Sequence, residues 1–266
     1  MSILAPLAAR YASWLALPAE QTNQVETDPA LVRAMPVILR IERDPVPGRT
    51  ALLEAAASAA LAVCLDPRAT APDGEWHSAV TAWINGHIRK VSRRARGAHW
   101  QAAQSFPGVT VTANGTSTAL GDVSVLGGAS VRALVPGLVT ETPKEISRLQ
   151  ISGSDLPHDD PGPLPEGIPV LWLNPNVELT AGKAAAQVGH ASMLLAALLD
   201  DTTLKSWAET TYRCAVRTPT QAQWKALHPG TDPAKAWDER RVIAVRDAGF
   251  TEIAPGTVTV LAQWPP

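Results

Sequence analysis

The stretch from Thr180 to His190, Thr-Ala-Gly-Lys-Ala-Ala-Ala-Gln-Val-Gly-His, constrains the fold more than any other part of the chain. Its alanines favour a helix, and Thr180 stands where an N-cap belongs. A helix starting there puts Lys183 in its first turn, where unpaired backbone N–H groups favour an anion. With about 100° of rotation per residue, Lys183, Gln187 and His190 fall on one side. The remaining small residues let another element approach closely. One polar face on such a helix predicts a site; the plain alternative is two solvated side chains and a hydrogen-bonded core histidine.

The surrounding pattern alternates strands and helices. Ile168 to Leu173 reads as a strand, Thr180 to about Leu199 as a helix, Tyr212 to Arg217 as a strand and Thr220 to Leu227 as a helix; Val242 to Leu261 reads as strand, turn, loop, strand. The first half is similar. A short amphipathic helix over residues 2 to 17 is followed by a strand over Pro36 to Arg43, a turn at Asp44 to Gly48 and a helix from Thr50 to about Val63. Another helix covers Trp76 to Gly86, His87 to Arg96 alternates like a strand while carrying a dense positive run, and Ala98 to Ala103 is helical. Val109 to Leu126 reads as strand, loop, strand, and Pro143 to Leu149 as a helix. Ser152 to Glu166, rich in Ser, Gly, Asp and Pro, lacks apolar periodicity and reads as a linker. These elements predict two layered α/β domains with mixed sheets flanked by helices, residues 1–151 and 168–266, joined by a linker over 152–167.

At 266 residues and 45% hydrophobic, the chain can bury one large core or two smaller ones. Its formal net charge of -2 argues against a strongly basic nucleic-acid binder overall but leaves a local basic face open. Cys64 and Cys214 have neither metal-knuckle nor disulfide-scaffold spacing, so a reducing cytoplasm is expected. Neither a secretory leader nor a membrane span is expected.

Two motifs carry a family resemblance. Gly-Lys-x-Ala-Ala-Gln-x-x-His-Ala, from Gly182, and Arg-Asp-Ala-Gly-x-Thr-x-Ile-Ala-Pro-Gly-Thr-x-Thr-Val-Leu, from Arg246, resemble the type 2 peptidyl-tRNA hydrolases in content, order and separation. The resemblance covers about Ile168 to Pro266. It implies metal-independent hydrolysis, without a cofactor, of the ester joining a peptide to the terminal ribose of tRNA. Lys183 would stabilise the oxyanion or grip a phosphate; Asp247 would orient water, act as base or fix Lys183 by charge pairing. Gln187 and Thr259 would bind substrate or water through an amide and a hydroxyl. Thr180 and Gly182, at the helix start, would touch substrate. His190, with an unperturbed pKa of ~6.5, is a possible base but ranks below the other four.

The two halves look alike. Pro36-Val37-Ile38-Leu39 matches Pro169-Val170-Leu171-Trp172, Arg94 to Ala102 matches Arg217 to Ala226, and Gly121 to Leu126 matches Gly256 to Leu261. In this alignment Thr112 replaces Asp247 and Ser124 replaces Thr259, while Arg49 or Thr50 and Leu53 or Glu54 replace Lys183 and Gln187. The first half reads as a degenerate copy. Because the resembled family commonly forms homodimers, the chain is expected to be a monomeric pseudodimer.

Departures from the family bear on substrate binding. The approach to the helix holds Asn174, Pro175, Asn176, Glu178 and Ala181 where many members have lysines, Phe250 replaces a basic residue and Glu252 a neutral amide. Arg89, Lys90, Arg93, Arg94 and Arg96 of the first half are the expected compensation, binding the tRNA backbone, with Trp100 stacking a base. A non-catalytic RNA- or protein-binding module and a hydrolase of another acyl ester are the alternatives.

Overall fold

The computed structural model describes residues 2–22, 28–114, 128–248 and 253–265. Its first half runs α1 (Ala5–Ala16), β1 (Arg33–Arg40), α2 (Arg49–Leu65), α3 (Pro67–Thr70), α4 (His77–Asn85), β2 (Lys90–Ala95), α5 (Gly97–Ala103), β3 (Gly108–Ala113), β4 (Ala129–Leu134), β5 (Gly137–Leu138) and α6 (Lys144–Ser147). The second half runs β6 (Val170–Leu173), α7 (Ala181–Ala197), α8 (Asp201–Glu209), β7 (Ala215–Arg217), α9 (Gln221–Leu227), α10 (Pro233–Arg240), β8 (Val242–Arg246) and β9 (Val258–Gln263). The protein is α/β, with two mixed sheets flanked by helices. Among the described residues, no helix is long and apolar enough to cross a membrane.

Both sheets follow one path. The first has the order β2-β1-β4-β3, with β5 also on β1, and the second β7-β6-β9-β8. In each, the two strands linked through the long helix are parallel, and the later pair runs antiparallel. Period-two alternation fixes the faces. Val37, Leu39, Leu171 and Leu173 point into one large core that also takes in the buried sides of α2 and α7. The outer faces have smaller clusters, Ile38 with Trp100 and Ile146 in the first half and Trp172 with Trp224 and Leu261 in the second.

The long helices meet through small residues. Ser192 Oγ donates to the Ala57 carbonyl at 2.8 Å, and a Cβ placed on Gly189 would lie 3.1 Å from that of Ala60. Each helix has 17 residues, so laying Arg49 on Ala181 carries Ala57 onto Gly189 and Ala60 onto Ser192. The packing is therefore reciprocal, as in a two-fold interface.

This geometry corrects the sequence alignment of the halves. Inward-facing Leu39 corresponds to inward-facing Leu171, one residue away from the motif match; a one-residue slip would turn every side chain to the wrong face. Lys183 and Gln187 then correspond to Ala51 and Ala55, and His190 to Ser58. Thr112 points away from the core, its hydroxyl paired with Ser130 at 2.9 Å, while Val111 takes the place of Ile243. The strand expected at Gly121 to Leu126 lies outside the described residues, as do Ser124, Phe250 and Glu252, and the strand paired with β1 is Ala129–Leu134. Three helices were not anticipated, α3, α8 and α10. All three announce themselves only through caps, Asp66, Asp200 and Asp232, on short segments.

α1 joins the halves. Tyr11 Oη accepts from the Ala244 N–H at 2.9 Å, Arg246 donates to the Trp14, Leu15 and Leu17 carbonyls, and Arg10 donates to Ile84 and Asn85. Arg246 thereby satisfies carbonyls that the end of α1 leaves open.

Candidate active site

Four of the side chains predicted from sequence form one hydrogen-bonded chain. Thr259 Oγ donates to Gln187 Oε1 at 2.6 Å, Gln187 Nε2 donates to Asp247 Oδ2 at 2.6 Å, and Lys183 Nζ pairs with that same oxygen at 2.6 Å. The chain runs from the interior outward. Thr259 is 0% exposed, Gln187 3%, and the side chains of Asp247 and Lys183 5% and 13%. Since a carboxylate only accepts, Asp247 fixes which end of the Gln187 amide faces it, and the other end must accept from Thr259.

Local irregularities aim these groups. The pairing of β8 with β9 shifts between Val245 and Arg246, leaving Thr259 as the extra residue. Such a bulge redirects side chains at the end of a strand. Asp247 follows immediately and is tied back by its N–H to the Thr257 carbonyl at 2.8 Å, while its own carbonyl accepts from Gly256 at 2.9 Å. Gly256 has φ 79°, and a Cβ there would fall 2.8 Å from Ala19 and from the Arg246 guanidinium, so the turn admits little else.

The start of α7 is partly closed by the chain itself. Thr180 Oγ accepts from the Lys183 N–H at 3.2 Å, and Ser154 Oγ accepts from the Gly182 N–H at 3.0 Å. Gly182 is buried, and a Cβ there would meet Ser154 Oγ at 2.7 Å. The amide expected to face an anion therefore faces a buried serine of the linker, a residue that nothing in the sequence marks. Arg49 is a second unmarked contributor: from α2 it donates to the Leu179 carbonyl at 2.6 Å and the Leu156 carbonyl at 3.3 Å, fixing the approach to Thr180. Thr180 lines a cleft of about 560 Å³ with Arg93, Leu149, Ile151 and Asp155.

The basic run divides by strand alternation. Arg93 donates to the Ser147 and Leu149 carbonyls at 2.9 and 2.8 Å, Arg94 to Gln150, and Arg96 is exposed at the start of α5. Arg89 precedes the strand and is partly buried, its carbonyl accepting from Trp83 Nε1 at 3.0 Å. Lys90 does not join a surface patch. It turns inward, with Nζ 3.1 Å from His190 Nδ1. Trp100 is also buried, within the outer cluster of the first sheet, and is not available to stack a base.

His190 is thus separated from the four-residue chain and paired with Lys90. Burial, then the charges of Lys90 and Lys183, push its pKa well below the ordinary value of 6.5. While Lys90 is an ammonium it can only donate, so Nδ1 then accepts and the imidazole proton resides on Nε2.

Residues 169–266 match the family model described as peptidyl-tRNA hydrolase PTH2. Over this C-terminal segment the chain is similar to that family. The match opens one residue before β6 and takes in α7 and the β8–β9 unit, hence all four residues of the hydrogen-bonded chain.

Proposed function

We propose that the protein is a peptidyl-tRNA hydrolase, cleaving the ester between peptide and tRNA through Lys183, Asp247, Gln187 and Thr259. The observation that carries this reading is the convergence of these four residues, from three separate elements of the PTH2 segment, on one nearly enclosed hydrogen-bonded chain. The Lys183 ammonium, held by one ion pair to Asp247, retains further N–H groups for the oxyanion that forms when water attacks the carbonyl. Asp247 orients that water and takes its proton as the new carbon–oxygen bond forms; the oxyanion then collapses, the ester bond breaks, and the proton passes to the departing ribose oxygen. Gln187, steadied by Thr259, keeps Asp247 aimed. This route needs no metal or cofactor.

The first half, residues 1–151, acts in this reading as a degenerate copy joined through the linker 152–167 to the catalytic domain 168–266. Matching strand orders and the reciprocal packing of α2 on α7 support a tandem pseudodimer, which in this reading works as a monomer in the cytoplasm. Ala51 and Ala55 leave its helix without the polar pair. Its first turn also holds an internal anion: the Asp159 carboxylate accepts from the Thr50 N–H at 3.0 Å, at the position matching Gly182. Arg93, Arg94 and Arg96, with Arg89, line the approach for tRNA phosphates.

The test is release of peptide from an N-blocked aminoacyl-tRNA by the intact chain, Lys183→Ala and Asp247→Asn, each checked for folding. Losses of about 10²-fold or more in both variants are expected, the scale of removing an oxyanion donor or positioned base. Full activity in both would overturn the assignment. Salt-sensitive tRNA binding without release would instead make the chain a binding module.

A further inference from the structure

The pairing of Lys90 with His190 crosses from the first half to the catalytic helix, and the surrounding structure is shaped to admit it. The lysine stem passes over Gly189, where an added Cβ would lie 3.2 Å from Cδ and 3.1 Å from Cε, and its ammonium sits 5.0 Å from the centre of the buried Trp83 ring. The amine ends 3.1 Å from Nδ1 of His190, one turn beyond Gln187 on the same side of α7.

The opposite side of the pseudo-two-fold shows what the fold itself requires at this place. Strand register matches Lys90 with Tyr212, because Leu39 pairs with Arg94 as Leu171 pairs with Val216. Helix register matches His190 with Ser58. There the interaction is a neutral one, Ser58 Oγ donating to the Tyr212 carbonyl at 3.0 Å. The same crossing of strand and helix thus packs without a charged pair. The lysine–imidazole pair occurs only against the helix that carries Lys183 and Gln187, His190 on α7 itself and Lys90 from β2, so it follows the site and not the architecture.

We propose that Lys90 is a positioning residue for the Lys183 site, supplied by the first half: it engages Nδ1 of His190, fixes the imidazole as the neutral Nε2–H form, and adds positive charge to the catalytic face of α7. The proposal rests on the hydrolase reading above. It removes His190 from the role of general base, since the lone pair a base would use is occupied. It also gives the non-catalytic half a function in the reaction, because truncating that half would strip one charge and the imidazole's partner from the site.

Titration offers a readout that mere packing would not move. Burial lowers the Lys90 pKa to about 7, opposed by Cys64 of α2; His190 faces it from α7 and the uncharged Trp83 from α4, and the Lys183 charge acts on His190 in turn. Its charge is therefore present at pH 6 and largely gone by pH 8.5.

The experiment compares the full chain with Lys90→Met and Lys90→Arg, measuring N-blocked aminoacyl-tRNA hydrolysis from pH 6 to 8.5 and the His190 imidazole signals by NMR. Wild type should exceed Lys90→Met roughly three- to tenfold at pH 6, the scale of one charge acting through partly wet protein, with the two converging by pH 8.5. Lys90→Arg should match wild type at pH 6 and outpace it at pH 8.5. At pH 6, where Lys90 is an ammonium, the wild-type imidazole should be the neutral Nε2–H form, and Lys90→Met, which removes the donor to Nδ1, should shift the imidazole nitrogen signals there. Activity ratios independent of pH would reduce Lys90 to packing and overturn the proposal. An imidazole unchanged by Lys90→Met would overturn the pairing itself. Absence of hydrolysis by wild type, with the imidazole response intact, would remove the hydrolase reading and the catalytic role while leaving the pairing in place.

Discussion

Replacing Thr259 by valine tests whether the buried end of the hydrogen-bonded chain controls its reactive end. Valine nearly matches threonine in shape, so the fully buried site gains no cavity. What disappears is the hydroxyl that donates to Gln187 Oε1 at 2.6 Å. Gln187 cannot recover by turning its amide over, because Asp247 would then face an oxygen instead of an N–H. Its Oε1 is left buried without that donor, a loss of about 1–3 kcal/mol. For a chain of this length that corresponds to a fall of about 2–8 °C in Tm. The second effect is on rate. A loosened Gln187 lets Asp247 and Lys183 drift, and misplacement on the order of 1 Å costs about 10²-fold. The expected result is a kcat lower by roughly 10- to 100-fold with little change in KM. Thr259→Ser, which restores the hydroxyl without the methyl, should recover most of the rate. The assay pairs thermal melts with peptide release from N-blocked aminoacyl-tRNA. If Thr259→Ser were as slow as Thr259→Val, packing by the methyl group would be responsible and the orientation argument would fail; undiminished activity in Thr259→Val would refute it outright.

Neutralising Arg93, Arg94 and Arg96 together should raise KM for tRNA and flatten the dependence of binding on salt by about 0.7–0.9 in log–log slope for each phosphate that is no longer neutralised; an unchanged slope in a filter-binding titration would move the RNA face elsewhere. Lys90 also leaves a stability signature. Its folded pKa, about 7, lies below its ordinary 10.5, so between those values the unfolded chain binds the additional proton and stability rises with pH, by at most about 1.4 kcal/mol per unit. Below pH 7 both states hold that proton and the contribution is constant. Denaturant titrations should show this rise in wild type and not in Lys90→Met.

The candidate site was readable because its signals are local. Thr180 as cap, Lys183 and Gln187 a turn apart, and Asp247 and Thr259 beside a glycine turn are all set by helical or strand spacing, and the structure brings the four together. The strand and helix pattern around them was readable for the same reason. The register between the halves was not. Alanine, valine and glycine recur too often to fix an alignment, and only the inward direction of Leu39 and Leu171 chose among matches differing by one residue.

Three decisions belonged to the tertiary structure alone. Alternation in β2 separated Lys90 from Arg93, so a run of like charges that reads as one patch became an inward-facing pairing and a pair of backbone ties. The linker, without periodicity of its own, placed Ser154 on Gly182 and Asp159 on Thr50, because helix starts need acceptors and the connecting chain passes both. His190 took a partner a hundred residues away. Sequence determines which groups each element can present, through periods of 3.6 and 2 residues. Which group on one element meets which on another depends on how the sheets and helices pack, and that is a property of the folded whole.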